Sequence, residues 1–153
     1  MRAAALRWLL VAVACSGIAA STQDAPAGSS SPAARAAYAQ AQTAVAREDY
    51  RKAIGLLERV VKAEPRNADA LNLLGYSHRK LGDAPRALDY YEKALAAQPA
   101  HRGALEYLGE LHVEQGRVDD AKQLLARLQA ACPEGCEEVR DLQAAIDAAK
   151  SQP

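Results

Sequence analysis

An all-α fold, a stack of helical hairpins, is what this sequence predicts, and three observations carry the prediction. Pro65, Pro99 and Pro133 stand 34 residues apart, and small and apolar residues recur at the same interval. Phenylalanine is absent and the only tryptophan is Trp8, so the core must come from Ala and Leu with a few Tyr, which suits closely packed helices. Val and Ile are scarce, and no stretch alternates apolar and polar residues with period two, so the pattern of strands is missing.

The first elements in the chain stand apart from that stack. "MRAAALR" is a short basic region, and "WLLVAVACSGIAA" is an apolar run ending in small residues, so residues 1–20 read as a secretory signal peptide. The run is short for a membrane span, which needs about 20 apolar residues. Cleavage near Ala20 is the first expectation; the alternative is a lipoprotein signal in "AVAC", with a lipid anchor on Cys15. Either route exports the chain, to the periplasm in the first case and to an envelope membrane in the second. Residues 21–33, "STQDAPAGSSSPA", read as a flexible linker.

The period then divides the chain into segments 34–67, 68–101 and 102–135. Pro65, Pro99 and Pro133 hold one repeat position near the end of each segment. Ala41, Gly75 and Gly109 share a second, and Ala53, Ala87 and Ala121 share a third. Leu57, Tyr91 and Leu125 share a fourth, and Gly82 recurs as Gly116. The middle copy, "ALNLLGYSHRKLGDAPRALDYYEKALAAQP", is the clearest. Its Leu74–Gly75 pair, Gly82–Asp83, Ala87, Tyr91, Ala94 and Pro99 resemble the tetratricopeptide repeat family, which implies a right-handed α-solenoid of three helical hairpins, and the chain is similar to an exported, bacterial-type member. The first copy departs most, with Gln40 in place of a leucine and Glu48 in place of the loop glycine; the third has Arg117 after its glycine and Leu128 where the family prefers alanine.

Each segment is expected to form a hairpin of a helix A and a helix B. In the middle copy helix A spans roughly 68–81, and Gly82 supplies the left-handed residue that ends it. Helix B spans roughly 84–97 and stops before Pro99, which disfavours helix in the residue preceding it. Ala41, Gly75 and Gly109 are expected where helix B crosses helix A, with Ala53, Ala87 and Ala121 opposite them, so that the axes approach closely. Gly75 would then trade helix propensity for contact. After Pro133, the residues Val139, Leu142, Ala145, Ile146 and Ala149 form an apolar stripe, so 136–149 reads as a capping helix that covers the open end of the stack.

Chemistry is sparse in this pattern. "CPEGC" places Cys132 and Cys136 close enough for a disulfide in an oxidising compartment. A redox pair, or a metal held with Glu137 or a histidine, is the alternative use of the same thiols. His78 and His112 occupy equivalent helix A positions and read as packing residues, whereas His101 falls in a loop and is expected in solvent. The pairs Glu137–Glu138 and Asp119–Asp120 point in different directions on their helices and make no acid/base dyad. No catalytic constellation, metal site or cofactor is expected, so the chain does not read as an enzyme. Nineteen basic and nineteen acidic residues cancel, which gives no electrostatic reason to expect nucleic acid.

The resemblance implies instead a protein or peptide partner, bound on the concave wall through the second, fifth, ninth and twelfth residues of each helix A. Those positions are Arg35, Tyr38, Gln42 and Val45, then Asp69, Asn72, Tyr76 and Arg79, then Gly103, Glu106, Glu110 and Val113. Glu106 and Glu110 stand where some chaperone-binding members carry a basic clamp for a C-terminal carboxylate, which disfavours a strongly acidic peptide. The sequence specifies no oligomeric state.

Overall fold

A computed structural model describes residues 31–150, and all its regular structure is helical. The helices are α1 (Pro32–Ala46), α2 (Tyr50–Ala63), α3 (Ala68–Lys80), α4 (Ala84–Ala97), α5 (Arg102–Glu114), α6 (Val118–Ala131) and α7 (Glu137–Lys150). They pair in sequence as α1/α2, α3/α4 and α5/α6, with α2 against α3 and α4 against α5; α7 lies on both α5 and α6. The expected signal peptide, Cys15 and linker residues 21–30 lie outside the described residues. Residues 32 and 33, expected in the linker, belong instead to the first turn of α1. Ser31 caps α1 by accepting from the Ala34 amide at 3.0 Å, and Pro32 opens the helix, where a missing N–H costs nothing.

The turns repeat as faithfully as the helices. Gly82 and Gly116 adopt φ of +80° and +74° and close α3 and α5 with a six-to-one hydrogen bond, Asp83 N–H to His78 O at 2.9 Å and Arg117 N–H to His112 O at 2.8 Å. Glu48 does the same work for α1 at φ +59°, with Asp49 N–H on Ala44 O at 2.9 Å. The register thus survives the loss of the glycine, at the cost of a left-handed backbone on a residue with a Cβ. Asp49 and Asp83 cap α2 and α4 through their side chains, but Arg117 gives α6 no such bond.

The periodic prolines mark these turns without entering the core. Pro65, Pro99 and Pro133 are all exposed, in contrast to the sealed Ala53, Ala87 and Ala121 that share their period. Each is the second residue of a turn closed by a backbone hydrogen bond: Asn67 N–H to Glu64 O at 3.0 Å, His101 N–H to Gln98 O at 3.0 Å, and Gly135 N–H to Cys132 O at 2.9 Å. Proline suits that place because its ring fixes φ near the value the turn requires and no N–H is needed there. Pro65 therefore serves as a structural repeat position through its backbone, ending α2 and leading into α3, and its side chain contributes no core packing.

The packing of the glycines differs from the expectation in one respect. A Cβ at Gly75 would stand 2.6 Å from two ring carbons of Tyr91 on α4, so the neighbour that needs the glycine is the tyrosine ring rather than Ala87. Tyr91 is fully buried and is among the bulkiest side chains of the core. A Cβ at Gly109 would meet Leu142 of α7 at 2.6 Å. The glycine of the third repeat therefore admits the cap instead of its own helix B. Leu142 and Ile146 are both sealed in the core, each contributing roughly 1.5–3 kcal/mol of apolar burial. Ala41, with no room to spare, is fully buried in a first-hairpin core built from Ala34, Ala37, Ala41 and Ala44 of α1 against Ala53, Leu56, Leu57 and Val60 of α2.

Candidate functional site

The residues expected to bind a partner gather on the helices α1, α3 and α5, and an aromatic run leads from α2 across α3 and α5. Tyr76 of α3 lies between Tyr50 of α2, at 6.2 Å between ring centroids, and Tyr107 of α5, at 5.1 Å. Tyr107 in turn reaches the buried Tyr91 at 6.3 Å. The Lys80 ammonium stands 5.4 Å from the Tyr76 ring. Burial raises the Tyr107 phenol to about 12, with the Glu106 carboxylate adding to the effect, so it stays a hydrogen-bond donor throughout the physiological range.

Beside the rings a charged network ties α3 to α5. The Arg79 guanidinium bonds Glu110 at 2.5 Å and Glu114 at 2.6 Å through separate nitrogens, with Nε also on Glu114 at 3.1 Å. Burial works against its charge, but the hydrogen bonds it donates to Glu114 and Glu110 outweigh that cost and hold the guanidinium protonated. Arg79 and Glu110 are thus already paired with each other. At the other end of α3, Asp69 accepts from His101 Nε2 at 3.0 Å, while His101 Nδ1 accepts from the Ala104 amide at 3.1 Å. The second bond requires Nδ1 to be unprotonated, so the proton sits on Nε2, facing Asp69. His101 is a buried helix cap and not the solvated loop residue the sequence suggests.

Exposure separates the expected residues. Gln42 is open to solvent, and Tyr38 and Tyr76 are half-buried. Burial raises the Tyr38 phenol, and Asp69 adds to the shift. Asn72 is buried, its amide nitrogen close to Gly103, and its Oδ1 has no hydrogen-bond partner among the described residues. Glu106 is buried as well, and desolvation first, then the charges of Glu110, Asp141, Glu138 and Glu137, push its carboxyl to about 8. Tyr50, Tyr107, Glu114 and His101 join the site without having been expected there. Glu114 was the most accessible from the sequence, since it follows Glu110 by four residues and shares its helix face.

The other candidate groups resolve into packing. His78 is buried and stacks on Tyr90 at 5.4 Å with rings 15° apart, and His112 is buried with Nδ1 unpartnered among the described residues. Desolvation lowers both imidazoles below their usual value. Cys132 and Cys136 face each other across the turn with Cα atoms 6.0 Å apart, inside the range a disulfide requires. With Glu138 they make the only trio of potential metal ligands close enough to share an ion among the described residues. Forming a disulfide would use up two of those three donors. No described helix is long and apolar enough to cross a membrane.

Two tetratricopeptide repeat models match the sequence, one over residues 38–101 and the other over 78–146. No curated protein matches it. Among solved structures, the complex of the TPR2B domain of yeast Sti1 with pHsp70 is similar at a TM-score of 0.73 and 17% identity, over 80% of this chain and 100% of that one. The type III secretion chaperone SycD of Yersinia enterocolitica, in complex with a peptide of the translocator YopD, is similar at 0.71 and 17%, over 79% and 95%. The first TPR of Spaghetti (RPAP3), bound to the HSP90 peptide SRMEEVD, is similar at 0.68 and 18%, over 78% and 94%.

Proposed function

The chain belongs to the tetratricopeptide repeat family, and from that premise we propose that it is a non-catalytic scaffold that holds a protein or peptide against α1, α3 and α5. The observation that carries this reading is the Tyr76–Tyr107 pair, flanked by paired charges on α3 and α5, two of the helices that line the binding wall in this family, with Tyr50 of α2 beside it. Tyrosine rings offer contact area at little rotamer cost, and Gln42 can hydrogen-bond an extended backbone. The similar structures that hold peptides support the same use of the fold. Tyr38, Gln42, Asp69 and Tyr76 are open to a partner, Asp69 while bonded to His101; Arg79 and Glu110 act through their existing pair, and the buried Asn72 and Glu106 form the floor.

The same proposal places the scaffold in the cell envelope, on the strength of the signal-like residues 1–20. Export would let Cys132 and Cys136 join as a structural disulfide pinning α7 to α6. Affinity capture from envelope extract, with the wild-type chain and a Tyr76→Ala, Gln42→Ala double variant as bait, tests the binding surface. The reading expects a partner retained by the first and lost by the second. Equal retention by both would place binding elsewhere on the molecule.

A further inference from the structure

We propose that the end of this face between α5 and α7 receives the side chain of a lysine or arginine from an extended peptide, with Glu106 as its counter-charge. The inference rests on the peptide-binding reading above and names the chemistry of one of its subsites.

The distribution of charge carries it. Glu110 and Glu114 are bonded to Arg79, and Glu138 has Arg102 at 3.7 Å. Glu106 has no hydrogen bond or ion pair among the described residues, although it is only 7% exposed. The charged and titratable groups that face it are Glu110 and Tyr107 from α5 and Glu137, Glu138 and Asp141 from α7, with Arg79 of α3 engaged by Glu110. A buried carboxylate without a cation is costly, and this chain meets the cost by keeping Glu106 protonated to about pH 8. An incoming cation would let it ionise.

The same geometry selects the kind of cation. These carboxylates are not close enough together to share a metal ion, because the only such group among the described residues is Cys132, Cys136 and Glu138. An ammonium or guanidinium spreads its donors over several ångströms and suits spaced acceptors better. Tyr107 follows Glu106 on α5 and feels its charge, and the Tyr76 and Tyr107 rings, 5.1 Å apart, give the aliphatic stem of a lysine or arginine an apolar surface to follow. An acidic side chain would meet only repulsion from α7.

Selection of random short peptides displayed on phage, run in parallel against the wild-type full chain and Glu106→Gln, tests the inference. Glutamine keeps the shape but cannot ionise to meet a cation, and circular dichroism confirms that the variant is folded. The expected result is a lysine or arginine enriched at one peptide position with the wild type, and about tenfold weaker binding of those peptides to Glu106→Gln. Saturation with a selected peptide should also move the carboxyl 13C titration of Glu106 down from about 8. Selected peptides without a basic preference, or basic peptides that bind both proteins equally, would overturn the cation subsite and leave peptide binding standing. Failure to enrich any peptide would overturn the peptide-binding reading itself, and the subsite with it.

Discussion

Gly75 lies against the Tyr91 ring so closely that a methyl group in place of its hydrogen would stand 2.6 Å from two ring carbons. Glycine in a helix interior gives up about 1 kcal/mol against alanine, and here the deficit makes room for a sealed aromatic side chain that spans the α3/α4 hairpin. The aromatic run of the binding face begins from that buried ring through Tyr107.

Gly75→Ala should therefore destabilise the chain by about 1–3 kcal/mol despite the gain in helix propensity. Gly55 is the control, a glycine inside α2 with nothing within 4 Å of its would-be Cβ. Gly55→Ala should stabilise by about 0.5–1 kcal/mol. Chemical denaturation of the two variants reads both signs, and Tyr91→Leu in the Gly75→Ala background should recover part of the loss.

Glu48 occupies the turn position where the other two hairpins have glycine, and its φ of +59° is unfavourable for a residue with a side chain. Glu48→Gly should raise stability by about 0.5–1 kcal/mol, the left-handed strain removed less the extra freedom of the unfolded chain. A higher urea midpoint with an unchanged slope is the expected observation.

Stability should depend on pH through Glu106 and, in the opposite sense, through the buried imidazoles His78 and His112. Folded Glu106 keeps its proton to about pH 8, whereas an unfolded glutamate loses it near 4.5, so the folded chain holds more protons between those values. The stabilisation is complete below about pH 4.5 and is lost as the pH rises toward 8. His112 behaves in reverse: burial lowers its pKa, so its contribution is complete above about 6.5 and is lost as the pH falls below that value. Thermal melts across pH should show Glu106→Gln flattening the alkaline decline, with a gain over wild type of roughly 1–3 kcal/mol at about pH 8.5. His112→Phe should flatten part of the acid limb, the rest being carried by His78.

Removing Leu142 tests the glycine of the third repeat. Leu142→Ala should cost about 2–5 kcal/mol, because it empties the space over Gly109 and frees α7 from α5. Amide exchange should speed up most along α7 and α5, with α1 and α2 least affected.

The 34-residue interval made the hairpins legible, since prolines and small residues mark helix ends and crossings by local sterics alone. Pro65 shows how local that signal is: it sets the turn after α2 from an exposed position, with no partner needed from elsewhere in the fold. Helix A of the middle copy ends at Lys80, one residue early, and the capping helix runs from Glu137 to Lys150. Less legible were facts that depend on which side chain reaches across. Gly75 and Gly109 share a repeat position, yet one receives Tyr91 from its own hairpin and the other Leu142 from the cap, because Tyr91 becomes Leu125 in the third copy and leaves that space to α7. His101 reads as a loop residue until α3 brings Asp69 beside its second nitrogen. Glu106 and Asn72 follow the binding periodicity, but their burial comes from α7 and from Gly103, which no local pattern encodes.

The most direct test of the scaffold reading is photo-crosslinking in cells from single positions, with the reactive residue at Gln42 on α1 or at the exposed Arg59 and Glu92 on α2 and α4. The account predicts one discrete adduct from Gln42, abolished by Tyr76→Ala, and none from the other two positions. Adducts from Arg59 or Glu92 alone, or a Gln42 adduct indifferent to Tyr76, would contradict it.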